Sequence, residues 1–75
     1  MVTITVYRSS DGKPVKGARV RISWYGITNG ITAEVYTDSD GEAHINTTGG
    51  RRGTIFVNGN NVFEGSISGK EIIHI

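Results

Sequence analysis

The sequence predicts an all-β protein, arranged as a two-sheet antiparallel sandwich of seven short strands. Three observations favour this fold class. Apolar and polar residues alternate through most of the chain, which is the period of a half-buried strand. The 11 glycines among 75 residues gather with Asn, Asp and Ser in short segments between the alternating stretches, as turns require. No segment has the 3.6-residue period of an amphipathic helix, and a small closed β-barrel is the alternative architecture.

The alternation assigns the strands in order and identifies the side chains that face the core. On the first four strands these are Val2, Ile4 and Val6; Ala18, Val20, Ile22 and Trp24; Ala33 and Val35; and Ala43 and Ile45. Weaker strands are predicted at 54–57, 61–66 and 71–75. Pro14 has no N–H to donate and suits the approach to the second strand, where Gly17 permits a bend.

Composition and charge indicate one small domain, residues 1–75, with no strong attraction to polyanions. The formal net charge of +1 gives no general pull toward nucleic acid or membranes, so neither is expected as a partner. Without cysteine there is no disulfide or thiolate chemistry, and the cellular compartment is left open. No apolar run approaches the ~20 residues of a membrane span, and "MVTITVYR" lacks the features of a signal peptide.

Three segments, "DGKPVKGARVRI", "TDSDGEAHI" and "GGRRGTIFVNG", resemble the carboxypeptidase regulatory-like and transthyretin-like β-sandwich domains. Those domains carry a Gly-x-Pro-Val-x-Gly-Ala-x-Val motif, a Thr-Asp-x-x-Gly motif before a strand, and then a glycine-led strand. The resemblance spans nearly the whole chain and implies an immunoglobulin-like, transthyretin-like sandwich in an extracytoplasmic setting, at a cell surface or in a periplasm. The transthyretin-related hydrolases end in Tyr-Arg-Gly-Ser, whereas this chain ends "EIIHI", so their activity is not expected.

The segment "TDSDGEAHI" raises the question of a metal loop. It fails as an EF-hand, because placing Gly41 at the sixth position puts Tyr36 first and Thr47 twelfth. Asp38 and Asp40 alone would hold a cation only weakly. The favoured interpretation is a corner in which Asp38 accepts backbone N–H bonds and Gly41 takes a positive φ. The resemblance implies that the chain changes sheet there, with a bulged hairpin as the alternative, and no metal site is predicted.

No catalytic residue and no cofactor-binding residue is predicted. His44 and His74 fall on outward positions of their strands, and neither a cysteine nor a third histidine completes a zinc set. No serine lies in a Gly-x-Ser-x-Gly elbow, and the glycine-rich segments precede no helix that would make a phosphate loop. Arg51 and Arg52 are interpreted as part of an ordinary solvated loop. The chain is therefore not expected to be an enzyme.

The outward face of the second and third strands is the candidate partner-binding face, formed by Arg19, Arg21, Glu34 and Tyr36. The expected register puts Arg19 opposite Tyr36 as a cation–π pair and Arg21 opposite Glu34 as an ion pair. Each contact stabilises an exposed sheet by about 0.5 kcal/mol. The first interpretation of this face is a solvated sheet surface that is stabilised by its own pairs. The alternative is a shallow platform for a protein or glycan partner, since Tyr and Arg are enriched at binding hot spots.

Two functions of different kinds follow from this pattern. The first is a non-catalytic accessory module that spaces neighbouring domains or binds an unknown protein partner, as a monomer or as a weak homodimer through its edge strands. The alternative is a carbohydrate or small-ligand binding module that uses Tyr7, Trp24, Tyr25 and Tyr36. The inward phase of Trp24 with Val20 counts against that alternative.

Overall fold

The regular secondary structure of the described residues consists of β-strands. The computed structural model describes residues 1–26, 31–32, 34–47 and 49–75, and in those residues it has seven strands and no helix. They are β1 (Val2–Tyr7), β2 (Arg19–Trp24), β3 (Val35–Tyr36), β4 (Glu42–Ile45), β5 (Arg51–Val57), β6 (Asn60–Ile67) and β7 (Lys70–His74). The predicted all-β class is confirmed. The predicted core residue Ala33 lies outside the described residues.

The strands form two sheets that share one hydrophobic core. Sheet A has the strand order β4-β1-β7, and sheet B has the order β3-β2-β5-β6. This arrangement is compatible with a β-sandwich, in which the inner faces of two sheets interdigitate, and differs from the single closed sheet of a barrel. The core residues are Val2, Ile4, Val6, Ala18, Val20, Ile22, Trp24, Ala43, Ile45, Ile55, Val57, Ile67 and Ile73. Every inward position predicted for the first, second and fourth strands is among them.

Sheet A is mixed, which corrects the expectation of antiparallel pairing throughout. β1 pairs with β4 in the antiparallel sense but with β7 in the parallel sense, with Thr3 opposite Lys70 and Tyr7 opposite His74. Parallel neighbours need a long connection between them, and here strands β2 to β6 supply it. Local alternation is the same for either direction of pairing, so the sequence pattern did not reveal this pair.

The segment between β3 and β4 carries the chain from sheet B to sheet A, as the crossing interpretation predicts. Thr37 is buried at the start of this corner, and its Oγ1 accepts the N–H of Ala18 at 2.8 Å while donating to the carbonyl of Val15. Gly41 has a φ of +77°, and its carbonyl accepts the N–H of Val6 at 2.8 Å. The corner is therefore anchored to both sheets, and it fixes where β4 begins.

Candidate functional site

Sheet B carries the predicted partner-binding face on its outward side. Arg19 lies opposite Tyr36 and Val20 opposite Val35, as the sequence predicts. The Arg19 Nε donates to Glu34 Oε2 at 2.8 Å, and both side chains remain close to half exposed. Tyr36 is 63% exposed. Three of the four predicted residues thus form one exposed cluster at the edge of the sheet.

The predicted contact partners are wrong, although both kinds of contact occur. The ion pair of Glu34 is with Arg19, whereas Arg21 places its guanidinium carbon 5.0 Å from the centre of the Phe56 ring. The register of the described pairs matches the prediction, so the exchange arises from the reach of the side chains. Glu34 is the diagonal neighbour of Arg19, two residues from Tyr36, and a long arginine side chain spans such a diagonal.

Phe56 is a member of this face that the sequence analysis missed. It lies directly opposite Arg21, on the β5 positions that alternate with the buried Ile55 and Val57. The same alternation in the sequence would have placed it outward. We call the five residues Arg19, Arg21, Glu34, Tyr36 and Phe56 the Arg/Tyr face.

The charges on the Arg/Tyr face are unequally compensated. Glu34 balances Arg19, and an exposed pair of this kind contributes only about 0–1 kcal/mol to stability, so a partner could replace it at little cost. Arg21 has no acidic partner among the described residues. Stacking on Phe56 orders its guanidinium while the N–H groups stay available to an acceptor.

The aromatic residues required by the carbohydrate alternative are divided between the core and the surface. Trp24 is 7% exposed and belongs to the core, which confirms its inward phase. Tyr7 stacks on His74 with 5.7 Å between ring centres, and the hydroxyl of Tyr25 accepts a hydrogen bond from Thr54 Oγ1 at 3.3 Å. Of the four aromatic residues, Tyr36 presents the most exposed ring.

Arg51 and Arg52 begin β5 rather than occupy a loop, which corrects the loop interpretation. They lie opposite Ile67 and Ser66 of β6, and both side chains are exposed. The strand starts earlier than the alternation of its apolar residues indicates, because backbone pairing with β6 continues to the residue that follows Gly50.

A second cluster lies at the corner that leads into sheet A. Asp38 and Glu42 each offer a carboxylate oxygen and His44 offers a ring nitrogen, and these three atoms lie within 4.8 Å of one another. Among the described residues, this is the group of three side chains that could hold a metal ion. The expectation of at most a weak cation site rests on Asp38 and Asp40 and leaves out Glu42. Glu42 and His44 are two apart on β4 and therefore share a face, a signal that was present in the sequence.

Hydrogen bonds favour the ionised form of Asp38. Its Oδ1 accepts the backbone N–H groups of Glu42 at 3.0 Å and Asp40 at 2.9 Å. These bonds, that of Glu42 first, lower the pKa of Asp38 below its ordinary value, and a positive charge on His44 acts in the same direction. The predicted corner geometry is confirmed, because Asp38 accepts from the turn and Gly41 takes the positive φ.

The two histidines do not meet. His44 lies on β4 and His74 on β7, on either side of β1, and both are exposed as predicted. His44 Nδ1 is 3.0 Å from Thr3 Oγ1, whereas His74 stacks on Tyr7. Neither histidine is therefore placed to assist the other.

No protein-family model, curated protein or solved structure matches this chain. The resemblance to carboxypeptidase regulatory-like and transthyretin-like domains stays a prediction from its motifs. The described residues include no helix of the length and apolar character needed to cross a membrane.

Proposed function

We propose that this chain is a non-catalytic accessory module of the carboxypeptidase regulatory-like and transthyretin-like kind, which binds a protein partner through the Arg/Tyr face. The observation that carries the proposal is that one sheet face presents both an exposed Tyr36 and an Arg21 that stacks on Phe56 and has no acidic partner in the described part of the chain. Spacing of neighbouring domains is the accompanying role that a small rigid sandwich serves.

The residue types on this face favour a protein partner. Tyr and Phe supply large contact areas for a small loss of conformational entropy, and Tyr and Arg are enriched among measured hot spots. A free arginine side chain loses more entropy on binding, and the stacking of Arg21 on Phe56 reduces this loss because the guanidinium is held before the partner arrives. A partner segment with a carboxylate fits this arrangement, since a carboxylate accepts two parallel N–H bonds from a guanidinium.

Edge strands are the second resource for interaction. β6 is an eight-residue edge of sheet B, and β7 is an edge of sheet A. A register irregularity opposite Ile55 and Phe56 interrupts the pairing of β6, and such bulges discourage the addition of a further strand. We therefore propose a monomer, in which self-pairing through an edge is weak.

The carbohydrate alternative is the weaker one, because the burial of Trp24 removes the best surface for stacking on a sugar ring. Intrinsic fluorescence separates the two proposals. An accessory module gives blue-shifted Trp24 emission that stays unchanged when glycans are added. A red-shifted emission that moves with added glycan would favour the alternative.

The partner proposal is tested by comparing what immobilised wild type and an Arg21→Glu/Tyr36→Ala variant recover from an extract of the source cells. Arg51→Glu is the matched control, since it makes the same charge change at an exposed arginine of the same sheet outside the Arg/Tyr face. A partner recovered by wild type and by the control, but not by the double variant, supports the proposal. Equal recovery by all three proteins would remove the Arg/Tyr face from consideration.

A further inference from the structure

The outward face of sheet A contains two close cross-strand pairs beside Asp38. Thr5 lies opposite Glu42, and Thr3 lies opposite His44. Because Val6 donates its N–H to the carbonyl of Gly41, the next pair along, Thr5 with Glu42, is of the closely spaced type without hydrogen bonds. The pair of Thr3 with His44 lies two residues further along β4 and is also a closely spaced pair without hydrogen bonds. Their side chains project together from one face of the sheet.

Thr3 and His44 form a contact that suits a metal ligand. Thr3 Oγ1 lies 3.0 Å from His44 Nδ1, and His44 Nε2 is 3.8 Å from Glu42 Oε1. When Nδ1 carries the proton and donates to Thr3, the lone pair of Nε2 is free on the side of Glu42. A hydrogen bond to the other ring nitrogen is the usual way in which proteins orient a metal-binding imidazole.

Thr5 provides an independent observation at the same place. It is 4% exposed, and its Oγ1 has no hydrogen-bond partner among the described residues. Its neighbours Ile4 and Val6 face the core, so Thr5 faces outward, directly against Glu42. A buried hydroxyl without a partner is costly, and an ordered water or ion beside it is one of the standard explanations.

We propose that Asp38, Glu42 and His44 bind one zinc-type divalent cation at this corner, with a metal-bound water that hydrogen-bonds to Thr5 Oγ1. Tetrahedral bonds of roughly 2.0–2.2 Å place ligand atoms about 3.4 Å apart. The donor atoms lie within 4.8 Å of one another, and the pair from Glu42 and His44 is already at 3.8 Å. The side chains close the remaining distance by small rotations at an exposed surface.

The donor set selects the class of ion. Two carboxylates and one imidazole suit zinc and neighbouring first-row metals, whereas calcium takes six to eight oxygen ligands and magnesium keeps most of its water. Three protein ligands leave one tetrahedral position for the water that we assign to Thr5 Oγ1. The site is on sheet A and does not depend on the Arg/Tyr face of sheet B, so it goes beyond the proposed function.

Calorimetric titration of the whole chain with Zn²⁺, with Mg²⁺ as a second probe, tests the proposal. We expect one Zn²⁺ per chain and no saturable binding of Mg²⁺ at the same concentrations. His44→Ala and Glu42→Gln should each weaken Zn²⁺ binding by about tenfold or more. Asp38→Asn keeps the oxygen that accepts the turn N–H bonds and should weaken binding similarly. A thermal scan of each metal-free variant verifies that it is folded.

Two matched control variants separate binding at this site from binding elsewhere on the chain. His74→Ala removes the other histidine, and Asp11→Asn changes an aspartate that accepts a comparable turn bond from Lys13. Both should bind Zn²⁺ as wild type does. Thr5→Val should weaken Zn²⁺ binding by a smaller factor while leaving the metal-free protein at least as stable, because it removes an unpaired hydroxyl. Absence of Zn²⁺ binding by wild type, or an equal loss in His74→Ala and His44→Ala, would overturn the proposal.

Discussion

Two aspartate–glycine corners in this molecule have similar local chemistry and different surroundings. In the Asp11 corner, residues 8–13, Asp11 accepts the N–H of Lys13 at 3.0 Å, and Gly12 has a φ of +70°. In the Asp38 corner, residues 37–42, Asp38 accepts two turn N–H groups, and Gly41 has a φ of +77°. Both were predictable as turns from their residue types.

The corners differ in what lies around the glycine and the aspartate. A Cβ on Gly12 would meet nothing within 4 Å, whereas a Cβ on Gly41 would lie 2.6 Å from the carbonyl oxygen of Val6 and 2.9 Å from Cβ of Pro14. Asp11 pairs with Arg8 at 3.1 Å, but Asp38 faces His44 and Glu42. The same short motif is thus a solvated turn at one place and a packed crossing beside a candidate site at the other.

The largest expected difference between the corners concerns their glycines. Gly41→Ala should lower the free energy of unfolding by about 3 kcal/mol or more, because the left-handed φ and the collision with Val6 add together. Gly12→Ala should cost about 1 kcal/mol, since only the backbone conformation opposes it. Urea unfolding of both variants measures this difference, and equal losses would show that the Asp38 corner is not packed as described.

A smaller difference is expected for the hydroxyl residues of the two corners. Thr37→Val keeps the shape of a buried side chain but leaves the Ala18 N–H and the Val15 carbonyl without their partner, at a cost of about 2 kcal/mol. Ser10→Ala changes an exposed residue and should stay within about 0.5 kcal/mol of wild type. Urea unfolding again measures both. A neutral Thr37→Val would mean that water replaces its hydrogen bonds and that the crossing is open to solvent.

The loss of stability on substitution should differ less between the two aspartates than between Thr37 and Ser10. Asp38→Ala removes an acceptor from two backbone N–H groups, so we expect it to destabilise the fold more than Asp11→Ala, which frees one. Asp38→Asn should fall between wild type and Asp38→Ala, because its amide oxygen still accepts. Thermal unfolding without added metal ranks the four proteins. A reversed order of the two alanine variants would contradict the hydrogen-bond assignment.

The smallest expected effect is the dependence of stability on acid. The folded-state pKa of Asp38 lies below the ordinary value of an aspartate, first because of the Glu42 N–H bond. The pKa of Asp11 is also lowered, first because of the Lys13 N–H bond. Unfolded chains therefore take up protons before folded ones as the pH falls. The stabilisation is complete above about pH 4, the unfolded-state pKa, and is lost as the pH falls through the folded-state pKa.

Asp38→Asn and Asp11→Asn should each flatten this acid limb, and the double variant should flatten it most. Unfolding by urea at a series of pH values from about 6 to about 2.5 measures the slope. An acid limb as steep in the double variant as in wild type would assign the effect to other carboxylates.

Much of the fold was accessible from local pattern. The period of two placed Val2, Ile4 and Val6 in the core, and the same rule placed Val20 and Trp24 there. The turn chemistry of Asp38 and Gly41 was also predictable, because an aspartate that accepts from the next residues and a glycine with positive φ act within a few residues of chain. Alternation with Ile55 and Val57 also places Phe56 outward, so its place on the Arg/Tyr face was predictable from the sequence.

The candidate sites were predictable only in part. The outward positions of Arg19, Arg21 and Tyr36 follow from alternation, but the ion pair of Arg19 with Glu34 is a diagonal contact between two segments, which neither segment alone encodes. The group of Asp38, Glu42 and His44 lies within the segment 38–44, and alternation places Glu42 and His44 on one face of β4. The positions of Thr3 and Thr5 beside this group depend on the pairing of β1 with β4, which no single strand encodes.

The sequence alone determined the strand class, the buried positions of the first, second and fourth strands, and the turn chemistry of the corners, because these arise from interactions within a few residues. The tertiary structure decided the parallel pairing of β1 with β7, the exchange of partners on the Arg/Tyr face, and the placement of Thr3 and Thr5 beside His44 and Glu42. Each of these joins residues from different strands, and the free energy that selects one register over another comes from the whole core rather than from any short segment.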